Sequence, residues 1–162
     1  MAHSNDEIRG VLVQSGEERL LLPNAAVAEV LARVPVEPVA DVPAWFAGRI
    51  DWHGWQVPLL AFAQLSGLGS DRAATNNRIV VLKTLGGDEA MPYFALLTPS
   101  FPRLVSVPRD GLLADATEEE LPPGVQMRVL LGNEVALLPD LEFIERMIAE
   151  ALEKARPENI EA

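Results

Sequence analysis

Cysteine is absent from this chain. That removes disulfides, thiolate zinc sites, iron–sulfur clusters and any thiol nucleophile together. Histidine is nearly absent too. His3 and His53 are the whole supply, so a histidine-rich metal site is excluded and a hydrolytic triad would rest on His53 alone. Positive charge is scarce, with 13 Lys+Arg against 24 Asp+Glu and a formal net charge of −11. Nucleic-acid binding and polybasic membrane anchoring both draw their affinity from Lys and Arg, so neither suits this composition. No segment approaches the ~20 consecutive apolar residues of a membrane span. The opening from Met1 to Glu7 is polar and acidic, unlike a secretory signal. The chain therefore reads as soluble and cytoplasmic, with no nucleic-acid partner and no direct membrane insertion.

What is present is enough for a core. The 162 residues are 49% hydrophobic, with mean hydropathy +0.13. A chain of about 150 residues buries roughly 70% of its unfolded surface. The expected organisation is a single domain with its core over residues 8–154 and flexible tails at 1–7 and 156–162.

Short β-rich runs separated by turn residues dominate the pattern. Ile8–Gln14 and Arg19–Leu22 form an expected hairpin. Asn24 is placed to cap a short helix over Ala25–Leu31, where Ala26, Val27, Val30 and Leu31 fall at helical spacing. Ala47–Trp52 and Trp55–Phe62 meet at Gly54 as a tight hairpin, with Pro58 marking a bulge or an edge position. Further strands are expected at Arg78–Leu85, Tyr93–Leu97, Leu104–Val107, Val125–Leu131 and Val135–Leu138. Thr117 to Glu120 has the spacing of a capping box, limited to about one turn by Pro122 and Pro123. A final helix spans Leu141–Lys154, with Asp140 as N-cap and a stripe of Leu141, Ile144, Ile148 and Leu152. The whole favours a mainly β architecture of sandwich or barrel type.

Two passages match in order. Gly54, Val57, Leu59 and Leu60 parallel Gly132, Val135, Leu137 and Leu138 at an offset of 78. A fainter match at 75 relates Leu21, Leu22 and Val30 to Leu96, Leu97 and Val105. Either short apolar strands resemble one another, or the chain holds two similar β-subdomains with a groove between them.

Catalytic motifs are missing. There is no phosphate-loop Gly-Lys-Ser/Thr, no Gly-x-Ser-x-Gly elbow and no Ser-x-x-Lys. Asp115, Glu118, Glu119 and Glu120 read as a solvated acidic loop. No cofactor and no enzymatic activity are expected. All three tryptophans, Trp45, Trp52 and Trp55, instead fall within eleven residues beside Gly54. For Trp45 and Trp55, core filling and a surface role stand side by side, since aromatics serve both. Trp52 and His53, at the turn, suit a partner contact, since Trp is enriched at interface hot spots.

The stretch from Val42 to Phe62 resembles the CheW-like chemotaxis coupling family, whose corresponding passage reads "VPGxPxxxxGxINLRGxxVPVxDL". Arg19–Leu31 is similar to the family's "ALPxxxVxEVL". Phe94–Leu97 with Leu104–Pro108 is similar to "GLLVDxVxxVxxVP", and Asn133–Leu141 to "GxxxxLLDxxxLL". The resemblance implies two packed five-stranded SH3-like β-barrel subdomains with a C-terminal helix. It implies a non-catalytic adaptor that joins a CheA-type histidine kinase, through that kinase's CheW-like regulatory domain, to the cytoplasmic tips of chemoreceptors. By position, Val27 and Glu29 match family residues facing the receptor groove, and Phe101, Leu104 and Val105 its other wall. His53, beside Trp52 and Gly54, stands where the family has the arginine of "NLRG". "INLRG" has become Ile50 to Gly54, and "LVDxV" has become Leu97 to Phe101. Such drift resembles accessory members of pilus-type (twitching motility) systems. Two other classes remain open: a ligand-binding or enzymatic barrel using Trp45, Trp52 and Trp55, and a self-assembling architectural protein.

Overall fold

The computed structural model describes residues 7–15, 18–32, 34–67, 78–84, 91–99, 101–108, 112–114, 121–131 and 134–155. In chain order come β1 (Glu7–Ser15), β2 (Glu18–Pro23), a 3-10 turn (Asn24–Ala26), β3 (Val27–Leu31), β4 (Phe46–Trp52) and β5 (Trp55–Leu60). Then follow α1 (Phe62–Leu65), β6 (Arg78–Lys83), β7 (Tyr93–Thr98), β8 (Arg103–Pro108), β9 (Leu112–Ala114), β10 (Val125–Leu131), β11 (Glu134–Pro139) and α2 (Leu141–Ala155).

The strands make two sheets, ordered β3-β6-β7-β5-β4 and β8-β1-β2-β11-β10-β9. Setting aside the short β9, the two orders correspond strand for strand. In each, the first three strands are antiparallel neighbours, the third pairs in parallel with the fourth, and the last two form a hairpin. The expected pair of similar five-stranded units is present, with β9 added at one edge. The five-stranded unit is continuous in sequence. The other takes β1 and β2 from before it and β8 to β11 from after it.

Side-chain alternation explains why the strands read as nearly unbroken apolar runs: both faces are covered. On β6, Ile79 and Val81 join Ile50, Val57, Leu59 and Ala95 on one face. Val80 and Leu82 turn the other way, to Phe94, Leu96, Leu20 and Leu22 in the layer between the sheets. On the far side of the second sheet lies a smaller cluster of Leu12, Leu21, Val129 and Ala136. Helix α2 completes the central layer through Leu141, Ile144 and Ile148, with Leu152 half-buried at its edge. Asp140 caps it as expected, its Oδ1 accepting the Phe143 N–H at 3.1 Å.

A small polar joint ties the units together. The buried Ser66 hydroxyl, just after α1, donates to the Pro123 carbonyl at 2.6 Å. The Asp140 N–H then donates to the Gly124 carbonyl at 2.7 Å. Ser66→Ala removes this part-buried hydrogen bond, a loss of about 0.5–1.5 kcal/mol. The measurement is the urea midpoint, which should fall at unchanged slope. An unmoved midpoint would show that the joint is not holding the units.

Several local expectations are corrected. Ala25–Leu31 is not a helix: a 3-10 turn with Pro23 as N-cap and no side-chain capping bond leads into β3. β3 pairs with β6 through Val27↔Leu82, Glu29↔Val81 and Val30↔Val80, with a bulge between Val27 and Glu29. That extra residue breaks the two-residue alternation and leaves an apolar spacing that imitates a helix. The β4–β5 irregularity lies between Phe46 and Gly48, not at Pro58, which is buried opposite Arg49 in a strand with neighbours on both sides. β5 ends at Leu60, and Phe62 begins α1 instead of closing the strand. The tail assigned to residues 1–7 is one residue too long, because Glu7 already belongs to β1. Thr117 to Glu120 and Gly132 lie outside the described residues.

Candidate functional site

The β4–β5 hairpin closes on two residues in left-handed conformation, His53 (φ 51°) and Gly54 (φ 83°). Glycine takes that φ without steric cost, whereas at His53 it marks a tight, specified turn. The turn brings its side chains to β3 at the opposite edge of the same sheet. The Trp52 indole N–H donates to Glu29 Oε1 at 2.8 Å, and His53 Nε2 stands 3.5 Å from that oxygen. Trp52 and His53 also meet edge to face, with centroids 4.5 Å apart. Three of the expected site residues, Glu29, Trp52 and His53, thus form one clasp between edge strands. Gly54 lies beside them with open space around its α-carbon.

Trp52 also belongs to the fold: it is half-buried against the Ile50, Val57 and Leu59 cluster, where its turn position suggests a partner contact. Of the two readings open for Trp55, the surface one fits, since the residue is 43% exposed. Trp45 is half-buried against the central core, as core filling requires. Tyr93 was missed altogether. It stands edge to face with Trp52 at 4.8 Å and with Trp55 at 6.0 Å, joining both rings. Its signal in the sequence is slight: the lone tyrosine, opening a strand whose register against β5 no local pattern reveals.

Of the remaining candidates, Val27 opens β3, while Phe101, Leu104 and Val105 fall on or near β8, an edge strand of the second sheet. Phe101 is 67% exposed and Leu104 61% exposed. The Arg78 guanidinium carbon lies 4.2 Å from the Phe101 ring centroid, pinning that ring to the start of β6. Val105 points inward instead, half-buried against Leu12, Leu21 and Val129. Val27 is likewise half-buried, packed on the central core. A second clasp mirrors the first with its charges reversed: Arg103 on β8 reaches Glu134, at the start of β11, at 3.3 Å. Among the described residues no group of three or more His, Asp or Glu is placed to hold a metal ion. No described helix is long and apolar enough to cross a membrane.

This arrangement has counterparts among known proteins. Residues 9–148 match the profile of the CheW-like domain family. The chain belongs to that family. Its CheW-like fold also superposes on the scaffolding protein TtCheW from Thermoanaerobacter tengcongensis with a TM-score of 0.70, over 83% of this chain and 89% of that one, at 16% identity. No curated protein sequence matches at a significant level. As a CheW-like domain, the chain is a scaffold or adaptor of chemosensory signalling and not an enzyme.

Proposed function

We propose that this chain is a non-catalytic adaptor that couples a CheA-type histidine kinase to the cytoplasmic tips of chemoreceptors. Family membership supports the coupling role. The single structural observation that carries the choice of surface is the pair of large apolar side chains left in water on the β8 edge, Phe101 and Leu104. Val105 backs that edge from inside, while the Glu29–Trp52–His53 clasp and Gly54, with Val27 on the same strand as Glu29, offer a second contact region. Two separated contact regions on one rigid frame are what a coupling protein requires. The departures from the family pattern at Asp51–His53 and at Thr98–Phe101 support a divergent branch, which we assign to a pilus-type (twitching motility) system.

Titration calorimetry against a kinase regulatory domain and a receptor tip fragment tests the reading. Leu104→Ala is the cleaner variant, because an exposed side chain contributes little to folding. If Leu104 is a hot spot, truncation costs about 2 kcal/mol, roughly thirtyfold in affinity, with the thermal midpoint nearly unchanged. Preference for pilus-type partners over flagellar ones supports the branch. Failure of the parent protein to bind either fragment sinks the adaptor reading.

A further inference from the structure

We propose that the aromatic rim of the five-stranded sheet receives a cationic side chain, an arginine or a lysine, from a partner segment. The inference rests on the reading above that the β4–β5 turn faces a partner, and it names what that partner presents. Trp52 and Trp55 are directly paired across the hairpin, so their side chains share one face. Tyr93 stands at 71° to Trp52 and at 62° to Trp55, so three π systems converge at the end of the sheet. Trp55 is 43% exposed and Glu29, at the same rim, has a side chain 46% exposed.

The electrostatics select the sign of the guest. An aromatic face carries negative potential and attracts cations, more strongly for Trp than for Tyr or Phe. Among the described residues the formal charges near the rim are Glu29 on β3, Lys83 on β6, directly opposite Tyr93, and Asp51 on β4, which faces away from the rings. His53 at the turn adds charge only when protonated. On the ring side Glu29 and Lys83 offset one another in formal charge, so the sign of the guest is set by the ring faces and by the net charge of −11, which draws cations toward the chain. An acidic guest meets repulsion. A purely apolar one forces Glu29 to give up water without compensation. The same kind of contact already exists inside the molecule, where Arg78 lies over Phe101.

The test uses the intact protein and a capped peptide of alternating glycine and arginine, followed through the indole N–H resonances of Trp52 and Trp55. The arginine peptide should shift both resonances saturably, while the same peptide with citrulline in place of arginine leaves them unmoved. Trp55→Ala and Glu29→Gln should each weaken binding at least fivefold, with thermal melts confirming the fold; Gln still accepts the Trp52 N–H. Glu142→Gln on α2 makes the same charge change away from the rim and should leave binding as in the parent. The proposal is overturned if citrulline binds equally, or if Glu142→Gln weakens binding as much as Glu29→Gln, since attraction would then be diffuse. Kinase and receptor capture by the same variants separates the two readings. Capture intact in Trp55→Ala with peptide binding lost removes this guest from the adaptor contact. A parent that binds the peptide but neither protein sinks the adaptor reading alone.

Discussion

Gly48→Ala is expected to destabilise the protein by about 3 kcal/mol or more. Gly48 has φ 150°, a region L-residues rarely adopt, and a β-carbon there would lie 2.5 Å from the Glu37 carbonyl oxygen and 2.7 Å from Val36 Cγ1. The carbonyl belongs to backbone, so relief means moving a strand-like segment. That segment is held to β4 by two hydrogen bonds, Glu37 N–H to the Arg49 carbonyl and Arg49 N–H to the Glu37 carbonyl, each 2.8 Å. Strain at such a site costs about 1–3 kcal/mol, and each hydrogen bond lost adds roughly 0.5–1.5 kcal/mol. Gly54→Ala is the control. Its φ is also positive, at 83°, but nothing lies within 4 Å of the added carbon, so only conformational strain of about 1–2 kcal/mol remains. Urea denaturation of both variants checks the contrast. Equal losses would mean that the crossing of residue 37 over Gly48 is not tight.

Ile144→Ala should cost about 2–5 kcal/mol, as a large-to-small change at a fully buried site. Ile144 sits in the layer between the sheets with Phe62, Leu65 and Val125, so the cavity opens where both units meet. Unfolding should stay a single transition at lower denaturant. A midpoint that barely moves would mean that α2 is not anchored through this stripe.

Much of this was legible in the sequence because both faces of most strands are apolar. Continuous runs such as Ile79–Leu82 announce a strand wherever it is placed, and the spacing Leu141/Ile144/Ile148 announces a helix face. What failed has a common cause in β-bulges and pairing. The bulge in β3 counterfeited helical spacing over Ala26–Leu31. The internal repeat is subtler. Offsets of 78 and 75 carry Leu59 onto Leu137 and Leu20 onto Ala95, so the register pair Leu59↔Ala95 of one unit corresponds to the register pair Leu137↔Leu20 of the other. Yet Leu59 faces the interior of its own unit, while Leu137 faces the layer between the sheets. Val57 is buried and Val135 is 38% exposed. The duplication is real in strand order, but the residue-by-residue match is slipped by one position, which reverses every side chain. In the candidate site, the clasp joins residues 23 apart in the chain and Tyr93 joins it from β7, so only the pairing of strands could disclose it.

The division of the second sheet between early and late strands bears on synthesis. A nascent chain can finish the five-stranded unit as soon as Thr98 has been made, from strands that follow one another. The β1–β2 hairpin can lie against that unit early, through Val11, Val13, Leu20 and Leu22. Its other face, Leu12 and Leu21, waits for Val129 and Ala136, more than a hundred residues later. Contacts of such separation form slowly and leave apolar strand uncovered meanwhile. The half of the molecule that begins first is thus the half completed last, and it is there that a stalled or shortened chain presents its stickiest surface.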